Sequence, residues 1–527
     1  MPQRKEMRLL PLSASLLAVC IARAATYYVA TDGDDSNPGT ESQPWRTIQK
    51  AAATLVAGDT VYIKPGVYAP TSPIYPANSG QSNAWITYAA LTNGTVTVDG
   101  SSADVQTDEG IFYIVDCAWI RVCGLRFINS GYAGISVESS RHIVLENNST
   151  SNTDASGIMV WACDDVVIRS NEIRRACRGS GDVGECITLD DTTNFVVSYN
   201  HVFDVPDEPG NGGEGIDAKE ASNNGSIHHN YVHDLYRLGI YVDAYGSHQS
   251  NVEVYANVVH HCADGIAVSA ELPAGFLRDV RIYNNVVYEN DYNGIIVSDY
   301  SDDGSEGVKQ DIYVINNTVF SNGYDNAEDW GGGILVATTN PASTNIVVRN
   351  NIASENNCWQ IAAVRTNLLQ VDHNLVFGRT DYAEDEFEFD GSFSITGDPR
   401  FVSAATRNFH LRGSSPAVDA GGASRAPTND ADAVARPQDG DLDGNPAWDI
   451  GAFEYRPPEM TSLSLKTGGV CLSWSCYSGL TYRTEWISVL GSSGWNLLGI
   501  TTAVNSTATL TDNSPTGAVR FYRVVEQ

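Results

Sequence analysis

Between about residue 110 and residue 376, apolar and polar residues alternate in short runs, and the runs recur as a set. Each set holds a Gly-Ile-like strand and, further on, an alternating strand that ends in Asn, as in Val252-Glu253-Val254-Tyr255-Ala256 before Asn257. The Asn series is Asn148, Asn171, Asn200, Asn230, Asn257, Asn285, Asn317, Asn351 and Asn374. Its companion is Ile135, Ile158, Ile187, Ile216, Ile240, Ile266, Ile295, Ile334 and Ile361, at spacings of 23 to 39 residues. Strands this short cannot each bury a face alone, so the sets must stack into a solenoid whose β-ladders run along its axis. Period-2 alternation excludes helical repeats, and the Leu-x-x-Leu-x-Leu frame of leucine-rich repeats is missing. The recurring Asn suits a corner at which its side chain tolerates left-handed backbone and stacks from coil to coil. That makes it structural, not catalytic.

The flanks add a cap and a tail. Tyr27-Tyr28-Val29-Ala30-Thr31-Asp32-Gly33, Pro44-Trp45-Arg46-Thr47-Ile48-Gln49-Lys50-Ala51 and Gly58-Asp59-Thr60-Val61-Tyr62-Ile63 precede the repeat, and residues 46–56 read as an amphipathic helix. With the repeat, these stretches make residues 26–400 resemble the right-handed parallel β-helix, or pectin-lyase-like, superfamily, and in particular its secreted polysaccharide-active members. The resemblance implies an all-β fold, a right-handed parallel β-helix solenoid over residues 25–400, whose N-terminal helix caps an edge that would otherwise template aggregation. Residues 401–457 look like the closing segment of such proteins. Beyond Arg456-Pro457-Pro458, alternating stretches such as Leu472-Ser473-Trp474 and Phe521-Tyr522-Arg523-Val524 predict a small β-sandwich over residues 458–527, similar to fibronectin-type accessory modules. This fold hosts lyases, hydrolases, epimerases and adhesins, so chemistry has to come from particular residues.

The N-terminus narrows the setting. Arg4, Lys5 and Arg8, an apolar run from Leu9 to Ala22 and then Ala22-Arg23-Ala24 read as a signal peptide over residues 1–24. No later run approaches the roughly 20 apolar residues of a transmembrane helix. The expected product is a secreted, extracytoplasmic monomer. Its net charge of -32 repels nucleic acid and anionic membranes, and is compatible with calcium or with an extracellular polysaccharide as partner. Of the ten cysteines, Cys177 with Cys186 and Cys471 with Cys476 stand close enough in sequence to pair.

Aligning the Gly-Ile strands gives two columns whose side chains alternate with the inward Ile and so face outward. One reads Ser136, Met159, Thr188, Asp217, Tyr241, Ala267, Ile296 and Leu335; the other reads Glu138, Trp161, Asp190, Lys219, Asp243, Ser269, Ser298 and Ala337. Ionisable groups concentrate in three adjacent coils, where Asp190, Asp217, Lys219, Tyr241 and Asp243 would share one patch. Nearby loops add Glu185, Asp191, Glu214, Glu220 and Arg237, and Trp161 offers a face for a sugar ring. The plain structural alternative is an exposed ion ladder in which Lys219 neutralises Asp190 and Asp243, worth about 1 kcal/mol or less. His228, His229, His233, His260 and His261 scatter around coil turns as surface residues.

The Gly215-Ile216-Asp217-Ala218-Lys219 stretch resembles the lysine-bearing coil of family 9 pectate lyases, which implies Lys219 as the base of a β-elimination from a uronic-acid glycan. In that reading Asp217, Asp243 and Arg237 join Lys219 in catalysis, and Trp161, Tyr241 and Glu214 contact substrate. Asp190, Asp191 and Asp217 would hold calcium. Two flanking aspartates alone would keep the lysine protonated, so the metal and the base depend on each other. The same carboxylates permit a glycoside hydrolase: adjacent-coil acids suit a separation of about 5 Å and acids two coils apart about 9 Å. A non-catalytic glycan-binding or adhesive solenoid is the third reading. In the tail, Asp439, Asp441 and Asp443 form an Asp-x-Asp-x-Asp-Gly turn that can gather oxygen ligands as a second metal site.

Overall fold

The alternating runs become strands that wind about one axis, three to a coil. The computed structural model describes residues 24–527 except 93, 180–183, 206–211, 299, 302–304, 325–329, 364–368, 379–386, 389–390, 492–493, 514 and 516–518. The leader expected over residues 1–24 thus lies outside the described residues, Ala24 apart. In a typical coil, Ile216–Lys219 belongs to a first sheet, Gly225–His228 to a second and Tyr231–His233 to a third. Among the described residues these sheets hold 11, 13 and 13 strands. Each strand pairs in parallel with its counterparts one coil away; Phe387–Glu388 is an antiparallel addition at the edge of the first sheet. Alternate residues point inward, so Ile216, Ala218, Ile227, Val232, Ile240 and Val242 are all completely buried. The apolar core they build is continuous from Val29 to Val376. No helix among the described residues is long and apolar enough to cross a membrane.

The corner between the second and third sheets carries the Asn series. Asn257 donates its backbone N–H and its Nδ2 to Asn285 Oδ1, both at 3.0 Å, and a further Nδ2 bond to Ile227 O at 2.9 Å. The same pattern continues from Asn148 to Asn374, all of them buried. The left-handed backbone expected at this Asn falls one residue earlier, at Asn147, Ser170, Tyr199, His229, Ala256, Asn284, Asn316, Asn350 and His373. That residue turns the chain outward at the corner; the ladder Asn follows it and aims its amide into the solenoid, where nothing but another coil can satisfy it.

The N-terminal helix is shorter than its sequence pattern, Ile48–Ala52, with Thr47 Oγ1 capping Lys50 N at 3.1 Å. It buries Ile48, Ala51 and Ala52 against the first coils. At the other end Phe401, Phe409, Leu411, Ile450 and Ala452 pack on Val286, Tyr288, Ile352 and Leu375. This segment therefore runs back along the flank of the solenoid, where Asn316 Nδ2 donates to Asp449 O and Gly451 O. Two antiparallel three-stranded sheets follow, built from Met460–Lys466, Gly469–Ser475 and Thr507–Asp512, and from Asn496–Thr502, Thr481–Ile487 and Phe521–Glu526. Leu472, Trp474 and Tyr482 lie in the core between them. The nine cysteines of the described residues are free thiols, so neither Cys177 with Cys186 nor Cys471 with Cys476 forms a bridge.

Removing the Asn257 amide leaves Asn230 N–H, Asn230 Nδ2 and Ile227 O unpaired in the preceding coil and takes one of two donors from Asn285 Oδ1 in the next. Asn257→Ala is expected to lower stability by about 3 kcal/mol, read from the shift of the urea midpoint; a shift worth under about 0.5 kcal/mol would show that the corner does not hold the coils together.

Candidate active site

The register of the first sheet makes neighbours of residues far apart in the chain. Thr188, Asp217 and Tyr241 line up across three coils, and Asp190, Lys219 and Asp243 line up beside them. Trp161 continues the second row next to Asp190. These are the columns read from the sequence, but facing outward does not mean exposed. Asp217 is 2% and Asp243 4% accessible, because the chain around Gly184, Glu185, Gly212, Glu214, Arg237 and Glu271 rises over the sheet and walls a cleft of about 350 Å³. On its C-terminal side the same outer face is closed by an apolar cluster of Tyr241, Ala267, Ile296, Leu335, Trp359 and Ala362. The ionisable patch therefore lies in a cleft that ends where the columns turn apolar.

Lys219, Asp217, Asp243, Arg237, Tyr241 and Glu214 all line this cleft, joined by Glu185, Glu220, Tyr245 and Glu271. Lys219 does not bridge Asp190 and Asp243 as a simple ladder. Its Nζ sits 2.6 Å from Glu185 Oε1 and 3.9 Å from Asp217 Oδ2, since Glu185 enters from the preceding loop on the side that the strands leave open. Arg237 is likewise held by Glu214, Nε to Oε1 at 2.7 Å. Tyr241 is buried and donates its hydroxyl to Glu271 Oε1 at 2.5 Å, so its ring is packed away and cannot stack on a sugar. The accessible aromatic faces are Trp161, 41% exposed, and Tyr245, 42% exposed. Tyr245 and Glu271 gave no periodic signal, because both stand in turns past the strand ends.

Burial with surplus negative charge governs the titration of the cleft. Asp217 is pushed well up, by burial and then by Glu185, with Lys219 opposing. Asp243 rises to about 8 through burial and the charge of Glu271, and Asp190 to about 6 through burial and Asp191. Glu214 is raised by burial against the pull of Arg237. Burial alone would lower Lys219, but Asp217 and Glu185 outweigh it and hold the ammonium form.

The expected calcium set does not assemble as a set. Asp190 and Asp217 lie on a diagonal, one coil and two residues apart, and Asp191 sits at a left-handed turn with its Oδ1 accepting from Ala221 N at 3.3 Å. Among the described residues the acidic groups whose oxygens converge within 4.8 Å are Asp419, Asp439 and Asp441. Asp419 takes the place expected for Asp443, whose Oδ1 accepts from Asn445 N at 2.7 Å in its own turn. In the cleft the observation that favours a hard cation is different: Asp217 Oδ1 is buried with no hydrogen-bond partner, and the carboxylates of Glu185, Glu214 and Asp243 that share the cleft offer further oxygens. The residues fit calcium in chemistry, with Asp217 as the anchor.

Three family descriptions match the chain: Pel9A-like, right handed beta helix region, over residues 27–178; Right handed beta helix region, over 109–272; and Disaggregatase related, over 277–377. Pectate lyase PEL9 of Emericella nidulans is 31% identical over 147 residues, covering 26% of this chain and 36% of that protein. Pectate lyase 1 of Pectobacterium atrosepticum is 26% identical over 152 residues, 28% of this chain and 37% of the relative. The uncharacterized protein YwoF of Bacillus subtilis is 27% identical over 314 residues, 52% and 64% of the two chains. Each match thus spans less than two thirds of the relative's own length. Among solved structures, pectate lyase Pel9A superposes with a TM-score of 0.47 at 18% identity, covering 83% of this chain and 98% of the other; XylC in complex with xylose gives 0.48 at 13%, covering 85% and 89%. By its stacked parallel sheets and the family regions that match them, the chain is a right-handed parallel β-helix protein of the pectin-lyase-like superfamily.

Proposed function

We propose that the chain is a secreted polysaccharide lyase that cleaves a uronic-acid glycan by β-elimination in this cleft, with Lys219 as the base. The observation that carries the reading is a lysine on the floor of a cleft in which carboxylates outnumber it and Arg237 among the described residues, beside the orphaned buried oxygen of Asp217. Partial similarity to pectate lyases supports it at the level of the reaction class. The Pel9A-like region ends at residue 178, before the lysine coil, so the assignment of residues rests on geometry.

Elimination needs a base for the proton α to the uronate carboxylate and an acid for the leaving oxygen. Lys219 is held as ammonium by Asp217 and Glu185, so it must first release its own proton to solvent; the neutral amine then takes the α proton, and electrons move to form the C4=C5 double bond as the C4–O bond breaks. Asp243 stands opposite Lys219 on the next strand and, with its pKa at about 8, holds the proton that the leaving oxygen requires. Arg237, held in place by Glu214, faces the anionic substrate, while Trp161 offers a stacking face at the N-terminal side of the row. Asp217, with its unpartnered buried oxygen and Asp190 in the adjoining coil, would hold calcium. Bound there, calcium supplies positive charge that offsets the acids, admits an anionic glycan and acidifies the α proton.

Two outcomes are expected. With polygalacturonate and calcium, the product should show the ultraviolet absorbance of a conjugated double bond, chelator should remove it, and Lys219→Ala should lower the rate by about 10²–10⁴-fold without unfolding the chain. Full activity in Lys219→Ala would end the assignment of the base; new reducing ends without that absorbance would mean glycoside hydrolysis by the same carboxylates; binding without product would mean an adhesive solenoid. The second outcome concerns pH. Folded Asp243 keeps a proton up to about 8, whereas the unfolded residue releases it near about 3.9, so stability is lost as pH rises through that window. Asp243→Asn in chelator should therefore raise the melting temperature more at pH 8 than at pH 4; an equal shift at both would refute the buried neutral acid.

A further inference from the structure

Acidic residues outnumber basic ones two to one in this chain, 64 against 32, yet one cleft of about 460 Å³ reverses the ratio. Among the described residues it is lined by four guanidinium groups, Arg126, Arg174, Arg175 and Arg178, against one carboxylate, Glu172. It lies on the third sheet, not on the first sheet that carries the lysine. Register places Arg126 beside Ser149 and Glu172 in the next two coils, and Arg174 beside Ser151. Arg175 and Arg178 come from the turn that follows Glu172–Arg174. Arg174 is committed elsewhere, with Nε 2.8 Å from Asp204 Oδ2 and its guanidinium 5.7 Å from the Phe203 ring centre. Among the described residues, Arg126, Arg175 and Arg178 form no salt bridge with any of the many carboxylates of the chain. Among the described residues the guanidinium groups outnumber the carboxylates in this cleft, so an anion entering it meets a net positive charge and forked donors.

We propose that this cleft is a second glycan-binding site, which takes the carboxylates of an acidic polysaccharide away from the catalytic cleft. Its volume falls in the range of ordinary ligand sites, and Ser149 and Ser151 supply hydroxyls at its floor for sugar oxygens. In the next two coils the same row continues as His201 and Tyr231, stacked with ring centres 5.1 Å apart. Strands about 4.8 Å apart thus set Arg126, Ser149, Glu172, His201 and Tyr231 along one line, with Arg174 and Phe203 in the row beside it, a span that suits an extended chain of acidic sugars. Forked guanidinium groups bind carboxylates in a paired geometry that ammonium groups do not match. The site would hold the polymer on the protein and raise its concentration near the catalytic cleft. The choice of a carboxylate-bearing glycan rests on the function proposed above; the charge pattern does not.

The test uses the full chain with Lys219→Ala to stop turnover, titrated with polygalacturonate and with its methyl-esterified form. Replacing Arg126, Arg175 and Arg178 by Ala should weaken binding of the acidic polymer at least about tenfold and flatten its salt dependence, while the esterified form binds equally weakly to both proteins. Should the triple variant fail to fold, Arg126→Glu and Arg178→Glu at exposed positions should each weaken binding several-fold. With Lys219 intact, the triple variant should raise KM on the polymer and leave kcat on short oligouronides unchanged. Undiminished binding by the arginine variants, or no binding of the acidic polymer by the parent, overturns the second site. Loss of the double-bond product with arginine-dependent binding retained would instead overturn the lyase reading and leave this site standing.

Discussion

Everything in this protein depends on coils stacking in strict register. A parallel strand slipped by one residue would turn its Ile column outward and its polar column into the core. The Asn corner prevents this by making each coil the hydrogen-bond partner of the next, so that a slip strands buried amides as well as buried apolar groups. The solenoid therefore behaves as a ruler. Side chains separated by 23 to 39 residues in sequence arrive one strand apart in space, and any chemistry on the outer face is written in that spacing.

Rigidity of this kind also explains why the cleft can carry so much unfavourable charge. Glu185, Glu214, Asp217, Asp243 and Glu271 crowd two basic groups in a half-closed space; Asp217 and Asp243 respond by holding protons well above the usual carboxylate range, and Glu214 is raised as well. A softer scaffold would relax by moving the acids apart. Here the strands are fixed on both sides, and the strain is expressed in protonation instead of displacement, which leaves an acid and a potential base facing each other across adjacent strands.

The two charged regions have different origins. The acidic cleft arises where loops rise over the first sheet, and its depth comes from those loops as much as from the strands. The arginine cleft lies on the third sheet, where strands and a single turn suffice to collect its side chains. Neither lies inside the solenoid, because the interior is filled by the continuous apolar core.

Period-2 alternation and the recurrent Ile and Asn positions determined the stacked parallel coils, their register and the pairing of Asp190 with Lys219 and of Lys219 with Asp243, because regular strands carry a fixed relation between sequence spacing and direction. The left-handed residue fell one place before the expected Asn, since both conformations satisfy the same alternation and only the corner shows which residue turns the chain. The burial of Asp217 and Asp243, the partnership of Lys219 with Glu185, and the placing of Asp419 in the acidic turn where Asp443 was expected were decided by tertiary structure alone. Loops and long-range turns have no period, so what they cover, and which distant carboxylate they bring within reach, becomes defined only once the chain has closed on itself.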